Sequence, residues 1–248
     1  MTRHDMAQAG QTGGHDARSW EETLELAGSR RDRVSTHVVD ITDRAAVAAL
    51  PEAALAAHGQ VDGLINCAGI IQPFVRFNDL EYEAIERITK VNYWGPIHTV
   101  KAFLPLLLER PEAHIVNISS MGGFVPVPGQ TMYGTTKAAV MLFTQGLHSE
   151  LVDTNVGVTL VFPGAIHTNI SKNSGVGNPD GVERDASTSK IKMTEPDAAA
   201  RMILDGMEKN AYRVMVGSDA KMMDRISRLA PLRAAMLIQK QMKELLAT

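Results

Sequence analysis

Short apolar segments alternate with helical segments along most of this 248-residue chain, and this alternation constrains the fold more than any other feature. The segments with strand character are STHVVDIT, VDGLINCAG, AHIVNIS, VGVTLVFPG and YRVMVG. VDGLINCAG is an apolar run bounded by glycines, which is typical of a strand covered on both faces. Strands that alternate with helices favour an α/β fold with a doubly wound parallel sheet. Ligands of such sheets bind at the carboxyl ends of the strands, so candidate functional residues are expected there.

The composition excludes several kinds of function. The 25 Lys and Arg residues face 28 Asp and Glu residues, a formal net charge of -3, so nothing favours nucleic-acid binding. Cys67 is the single cysteine, which excludes an intramolecular disulfide and leaves a cysteine-based metal site without partners. No metal is therefore expected, and the default compartment is a reducing cytoplasm. No segment resembles a secretory signal or approaches the roughly 20 apolar residues that span a bilayer.

The chain is interpreted as a flexible segment, residues 1–18, followed by one domain, residues 19–248. The first segment has almost no apolar periodicity, whereas the rest shows no break in composition. The end of the chain, about residues 219–248, has apolar residues at helical spacing with basic residues between them. This helical tail could dock on a partner subunit or a membrane surface, but docking on its own fold is the simpler interpretation.

A tyrosine and a lysine four residues apart form the strongest candidate for chemistry. Tyr133 and Lys137 lie in YGTTK, within a predicted helix, where this spacing places both side chains on one face. A neighbouring cation favours the phenolate, so the pKa of Tyr133 is expected to fall from about 10 toward a range useful to a general acid or base. Ser120 follows the strand AHIVNIS and could face a substrate. A solvated surface pair and a loop cap are the simpler interpretations of each feature taken separately.

Together these elements resemble the short-chain dehydrogenase/reductase family over roughly residues 34 to 217. NCAG at 66–69 is similar to the family's N-N-A-G, with Cys67 in place of the second Asn. Valine and asparagine at 91 and 92 match its helix asparagine, IVNISS matches the strand that carries its serine, and DITD at 40–43 is similar to its D-x-T-D segment. FPG followed by Thr168 resembles its P-G-x-x-x-T.

The resemblance implies a Rossmann-like fold, an NAD or NADP cofactor, and hydride transfer between the nicotinamide and an alcohol or ketone. Tyr133 would exchange a proton with the substrate oxygen, and Ser120 would hydrogen-bond that oxygen and fix its position. Lys137 would lower the tyrosine pKa and bind the nicotinamide ribose, and Asn92 would hold a water that links Lys137 to solvent. A homo-oligomer is expected. A mobile lid is expected at about 170–195, where Gly, Asn, Asp and Ser are frequent.

The resemblance also implies a set of cofactor contacts. Small residues in the NCAG segment would allow close approach of a ligand to the backbone. The expected adenosine-side contacts are Asp40, Ile41, Asn66, Ala68 and Gly69, and the expected nicotinamide and phosphate contacts, besides Tyr133 and Lys137, are Pro163, Gly164, Ile166 and Thr168.

The family's phosphate loop, T-G-x-x-x-G-x-G after a first strand, is not found in the sequence. This loop supplies backbone N–H groups and a helix N-terminus to the pyrophosphate. The first two strands are expected to be missing, so that HVVDI pairs directly with GLINCAG, packs loosely, or is joined by another copy of the chain; direct pairing is the preferred hypothesis. A truncated, cofactor-incompetent remnant or non-catalytic subunit is the alternative to an active enzyme, and a misassigned start codon or a recent deletion is the preferred origin of the missing loop.

Substrate and mechanism have further alternatives. Apolar residues near the expected site favour a lipophilic alcohol or ketone, although ordinary packing explains them about as well; they are Phe124, Val125, Val127 and Met132. A serine hydrolase built on Ser120 is disfavoured, because ISSMGG does not form the G-x-S-x-G elbow.

Overall fold

The computed structural model describes residues 6–10, 24–176 and 193–242. Within these ranges the strands form two parallel sheets. One sheet pairs β1 (Met6–Gly10) with β2 (Val34–Val38). The other has the order β3-β4-β5-β6, whose strands are Gly63–Asn66, Ala113–Ile118, Val156–Pro163 and Arg213–Val216.

Helices follow almost every strand, as the alternating pattern predicts. In chain order they are α1 (Arg44–His58), α2 (Tyr82–Thr89), α3 (Gly95–Leu108), α4 (Thr131–Leu151), α5 (Ile170–Asn173), α6 (Pro196–Glu208), α7 (Ser218–Leu229) and α8 (Pro231–Met242). A π-helical turn, Lys90–Trp94, joins α2 to α3. Helix α1 begins after Asp43, whose carboxylate accepts hydrogen bonds from two backbone amides, and ends at Gly59 with a left-handed φ of 77°.

The central strands β4 and β5 are covered on both faces, which makes the four-stranded sheet doubly wound. Ile115 is fully buried and packs in a cluster with residues of α1, α3 and α4. Its neighbour Val116 is also fully buried but packs with Ala199 of α6. Successive side chains of a strand point to opposite faces, so one apolar run fills both layers of the core. The predicted α/β parallel architecture is therefore confirmed for this sheet.

The predicted pairing of HVVDI with GLINCAG is wrong. β2 pairs with β1, from Met6 opposite Val34 to Gly10 opposite Val38, and not with β3. A strand therefore precedes β2, inside the segment that the sequence predicted to be flexible; the rest of residues 1–18 lies outside the described ranges. MAQAG contains no long apolar run, so its pattern does not predict a strand. Parallel pairing uses backbone N–H and C=O groups, which every non-proline residue has.

β3 is less buried than its sequence predicts. Gly63 and Ile65 are exposed, and Ile65 keeps 39% of its surface accessible. This strand pairs with β4 on one side and, among the described strands, with none on the other, so it is an edge strand. The apolar run therefore predicted a strand correctly but not its coverage.

The two C-terminal helices pack on their own fold. Met223 of α7 and Ala234 and Ile238 of α8 are buried together with Val125. This packing corresponds to the simplest of the three interpretations of the tail. None of the helices in the described ranges has both the length and the apolar character needed to cross a bilayer.

Candidate active site

The four predicted catalytic residues are positioned by three elements of the fold. Ser120 follows the end of β4, Tyr133 and Lys137 lie in the first two turns of α4, and Asn92 lies in the π-helical turn before α3. An added Cβ at Gly122 would lie 3.4 Å from a ring carbon of Tyr133 and 3.5 Å from Ser120 Oγ, so these two side chains flank the same glycine. Lys137 Nζ lies 5.9 Å from the centre of the Tyr133 ring.

The Ser120 side chain interacts with the buried phenol of Tyr133. Burial raises the pKa of Tyr133 above its ordinary value, and the interaction with Ser120 opposes this rise. The expectation that this pKa falls is therefore wrong in direction, because burial disfavours the charged phenolate. Ser120 Oγ also accepts a hydrogen bond from the Gly122 amide at 3.0 Å. Within the described residues, Ser120 Oγ thus meets the Gly122 amide and the Tyr133 side chain, and not the histidine that a serine hydrolase requires.

Lys137 is a buried cation held against the end of β4. Lys137 is 5% exposed, and its Nζ donates a hydrogen bond to the carbonyl oxygen of Ile118 at 3.0 Å. Burial lowers the pKa of Lys137 to about 8, while electrostatic interaction with Cys67 acts in the opposite direction. Lys137 is therefore mostly protonated at neutral pH and loses its charge within a range that enzyme assays reach.

Asn92 joins the segment after β3 to helix α4. The residue is fully buried, and its Oδ1 accepts from Ile70 N at 2.9 Å. Its Nδ2 donates to Ile70 O at 2.8 Å and to Thr136 Oγ1 at 3.2 Å. Both amide hydrogens thus have protein partners, and the side chain fixes the position of the backbone beyond Gly69.

Gly69 brings the NCAG segment against the predicted catalytic residues. An added Cβ would lie 3.2 Å from Lys137 Nζ and 3.4 Å from Asn92 Oδ1. A side chain here would press on the ammonium group, so the absence of a Cβ at Gly69 permits the close approach. Among the residues expected to bind cofactor, Gly69 therefore lies beside Lys137.

Two other expected cofactor contacts have side chains that face the protein. Ile41 is 3% exposed, and an added Cβ at Gly95 would lie 2.5 Å from its Cδ1. Asn66 accepts from Thr99 Oγ1 at 2.6 Å and donates to Asn117 Oδ1 at 2.8 Å. The side chains of these two residues are thus engaged within the protein, and their backbone atoms are the candidates for contact with a cofactor. Asp40 is half-buried, and its Oδ1 accepts from the amide of Thr42 at 2.9 Å.

The expected contacts after β5 form a separate loop at the carboxyl end of that strand. The loop contains Pro163, Gly164, Ile166 and the exposed Thr168, and Ile166 forms a parallel bridge with Thr194. Asp219 of α7 holds this loop, because its Oδ2 accepts from Ala165 N at 2.7 Å.

Asp219 was not found from the sequence. An added Cβ at Gly164 would lie 2.3 Å from both oxygens of its carboxylate. The contact joins residues 54 positions apart, and no local pattern marks Asp219 as a partner of this loop.

The expected apolar pocket wall is divided between two clusters. Val125 is 1% exposed and packs with the C-terminal helices, with Phe124 and Val127 against the same cluster. Met132 packs instead against the cluster that contains Ile41. The prediction of one shared wall is therefore wrong for Val125, because the C-terminal helices need its surface for their own packing.

The predicted lid at about 170–195 lies largely outside the described ranges, since residues 177–192 are not described. Its beginning is anchored beside the site. Ser174 is fully buried, its Oγ accepts from Ile71 N at 2.9 Å, and its carbonyl oxygen accepts from Arg87 at 2.8 Å.

Glycine at position 134 allows the close packing of α4 against the turn after Ser120. An added Cβ would lie 2.8 Å from the carbonyl oxygen of Gly122, which is a backbone atom and cannot rotate away. We expect Gly134→Ala to displace Tyr133 from Ser120, and so to lower thermal stability and any activity together. Gly146→Ala on the same helix is the matched control, since an added Cβ there meets nothing within 4 Å. This control should stabilise the helix by about 0.5–1 kcal/mol. Thermal denaturation measures both, and equal effects of the two variants would contradict the prediction.

Known proteins resemble this chain in sequence and in fold. A family model described as short chain dehydrogenase matches residues 9–178. SadH of Mycobacterium tuberculosis, which is named as an oxidoreductase, is 35% identical over 212 residues, covering 84% of this chain and 76% of SadH. A short-chain dehydrogenase from Sphingobium yanoikuyae in complex with NADPH matches with a TM-score of 0.69 and 25% identity, covering 93% of this chain and 86% of that one.

A second solved structure shows the same fold at lower identity. It is a short-chain dehydrogenase/reductase from Burkholderia phymatum in complex with NAD, with a TM-score of 0.67 and 23% identity, covering 84% of this chain and 80% of that one. The family match extends over more than half of the sequence, from Ala9 to Asn178. The chain belongs to the short-chain dehydrogenase/reductase family.

Proposed function

We propose that this protein transfers a hydride between a nicotinamide cofactor and an alcohol or ketone, with Tyr133 as the general acid and base. The observation that carries the proposal is the grouping of Ser120 with Tyr133 on one side and of Lys137 with Gly69 on the other. Family membership supports NAD(P)-dependent oxidoreduction. The choice of an alcohol or ketone and the roles of individual residues are part of the proposal.

The residues of this chain fit the nicotinamide part of the cofactor. Members of the family bind NAD or NADP. The absence of a side chain at Gly69 leaves room beside a buried ammonium group, a suitable donor for ribose hydroxyls. Residues proposed to hold the cofactor are Ala68, Gly69, Tyr133, Lys137, Gly164 and Thr168, with Asp40 at the adenosine side. When bound, the cofactor supplies or accepts the hydride.

Tyr133 and Ser120 act on the oxygen of the substrate. Because burial raises its pKa, Tyr133 is protonated at neutral pH and can donate its proton to a carbonyl oxygen during reduction. The Ser120 hydroxyl hydrogen-bonds the same oxygen and holds it near the phenol. In the oxidation direction the phenolate takes the proton back from the alcohol.

Lys137 stabilises the charge that develops on Tyr133. Once the phenol has given up its proton, the buried ammonium group 5.9 Å from the ring centre favours the phenolate. Asn92 holds the segment after Gly69 in place through the Ile70 backbone. These interactions fix the relative positions of the proton donor and the cofactor site before substrate binds.

We further propose a lipophilic substrate and a homo-oligomeric protein. Phe124, Val127 and Met132 are half-buried and remain candidates for contact with an apolar substituent. Leu229, Leu232 and Met236 on the C-terminal helices keep 87%, 72% and 62% of their surfaces exposed, which supports association of these helices with a second copy. Light scattering of the purified protein measures the assembly, and a monomer at micromolar concentration would contradict it.

Titration of the purified chain with NADH and with NADPH tests the proposed function. We expect saturable binding of at least one cofactor, with a Kd well below millimolar, followed by cofactor-dependent turnover with a panel of apolar ketones and alcohols. Fluorescence of the reduced nicotinamide measures both. Binding of neither cofactor tighter than millimolar would contradict the enzyme and favour the alternative of a cofactor-incompetent remnant or non-catalytic subunit.

A further inference from the structure

A buried glutamine outside the predicted catalytic set contacts the backbone of the proposed proton donor. Gln72 is 2% exposed, and its Oε1 accepts hydrogen bonds from Met132 N at 2.8 Å and from Tyr133 N at 3.0 Å. Its Nε2 donates to the carbonyl oxygen of Gly129 at 3.0 Å. Both ends of the side-chain amide are therefore committed to the backbone at the start of α4.

Helix α4 needs such an acceptor at its N-terminus. The first N–H groups of a helix have no partner within the helix, and a side chain at the N-cap position usually supplies one. Gln130 occupies the N-cap position of α4, but its side chain makes no capping hydrogen bond. The two amides that Gln72 binds belong to the first turn of α4, so a residue about 60 positions earlier in the chain caps this helix.

The backbone of Gln72 and of the two residues before it is fixed by three further contacts. Ile70 N is bound by Asn92 Oδ1 at 2.9 Å, and Ile71 N is bound by Ser174 Oγ at 2.9 Å. The carbonyl oxygen of Gln72 accepts from Gln130 Nε2 at 2.8 Å. The backbone that carries the Gln72 side chain is therefore held in place by its neighbours. The side-chain amide can consequently fix the position of the first turn of α4.

We propose that Gln72 is a positioning residue for Tyr133, which caps the first turn of α4 and holds the phenol at Ser120. This inference rests on the proposed function, since it assigns Tyr133 as the proton donor. Without the cap, two half-buried amides lose their acceptor and the first turn of α4 can fray. Tyr133 lies in that turn, so its phenol would sample positions away from the substrate oxygen. Misplacement of a catalytic group by about 1 Å can cost about 100-fold in rate.

Two variants of Gln72 separate capping from general stability. Gln72→Leu has a similar volume but cannot accept or donate. Gln72→Glu retains both acceptor bonds, but its carboxylate form cannot donate to Gly129 O, whereas its protonated form can. Asn155→Leu is the matched control, because Asn155 Nδ2 donates to the backbone oxygens of Leu107 and Arg110. The Asn155→Leu variant should lose side-chain to backbone hydrogen bonds, as Gln72→Leu does, but at a place that contacts none of the predicted catalytic residues.

We expect Gln72→Leu to lower kcat by about 10- to 100-fold with an unchanged Kd for the reduced cofactor. Gln72→Glu should keep a kcat much closer to the wild type than Gln72→Leu does, because it retains both acceptor bonds to the first turn of α4. Asn155→Leu should lower the Tm while leaving kcat and the pH profile unchanged. The proposal is overturned if Gln72→Leu keeps the wild-type kcat, or if its loss of kcat merely parallels its loss of folded protein, as in the control.

A measurement that needs no turnover separates this inference from the proposed function. Hydrogen exchange of the Met132 and Tyr133 amides should be faster in Gln72→Leu than in the wild type and unchanged in Asn155→Leu. Absorbance titration, compared with the corresponding Tyr133→Phe proteins, gives the pKa of Tyr133, which should fall in Gln72→Leu as the phenol becomes more hydrated. If the wild type neither binds cofactor nor turns over substrate, the proposed function fails. The capping role of Gln72 is overturned separately, if amide exchange and the Tyr133 pKa are the same in Gln72→Leu as in the wild type.

Discussion

Replacing Tyr133 with phenylalanine should lower kcat by about 10²- to 10⁴-fold, the range that a positioned proton donor contributes. The ring is retained, so its packing in the cluster with Ile41 and Met132 should remain. The loss should therefore appear in kcat rather than in the Kd of the reduced cofactor. Steady-state kinetics and fluorescence titration measure these two quantities separately.

Tyr212→Phe is the matched control for this prediction. Tyr212 keeps 41% of its surface exposed and contacts the ring of His148, at the opposite end of α4 from Tyr133. Removal of its hydroxyl should leave kcat within about twofold, as for most surface substitutions. Full turnover by the Tyr133 variant would assign the proton transfer to another group and overturn the proposed mechanism.

Replacing Lys137 with methionine should lower kcat/KM by at least about 100-fold. The variant loses the cation that stabilises the phenolate and the proposed donor to the ribose, so cofactor affinity should fall as well. Two effects on stability oppose each other: a buried charge is removed, but the carbonyl oxygen of Ile118 loses its donor. The Tm should consequently change little, which thermal denaturation can establish alongside the kinetics.

The pH dependence of kcat/KM for ketone reduction should also report Lys137. Because burial lowers its pKa to about 8, this group is a cation below that pH and becomes neutral above it. Activity of the wild type should therefore decline as the pH rises through about 8, while Tyr133, with its raised pKa, stays protonated. Lys137→Met should lack this decline. Lys101→Met, at an exposed position of α3, should keep it, and the same decline in both variants would assign it to another group.

The candidate catalytic residues stand out in the sequence because their signals are local. Tyr133 and Lys137 are four residues apart on one helix, and Ser120 directly follows a strand whose apolar pattern is clear. Helical spacing places side chains on one face whatever surrounds the helix. For the same reason the alternation of strands and helices was enough to predict a parallel α/β sheet.

Features that depend on distant contacts were missed or predicted wrongly. β1 was overlooked because MAQAG has no long apolar run, and the pairing proposed for β2 failed with it. Gln72 and Asp219 hold backbone segments that lie about 60 and 54 positions away in the chain. A single glutamine or aspartate is not part of a repeating sequence pattern, so the sequence around it does not indicate its distant partner.

The sequence by itself therefore determined the fold class, the family resemblance and the identities of the candidate catalytic residues, all of which follow from spacing within one element or from short motifs. Only the tertiary structure decided which strands pair, how the helix of Tyr133 is capped, and in which direction burial moves the two pKa values. The pKa of Tyr133 is raised and that of Lys137 is lowered because both groups lose water on folding. Desolvation depends on everything packed around a side chain, and a spacing of four residues contains no information about it.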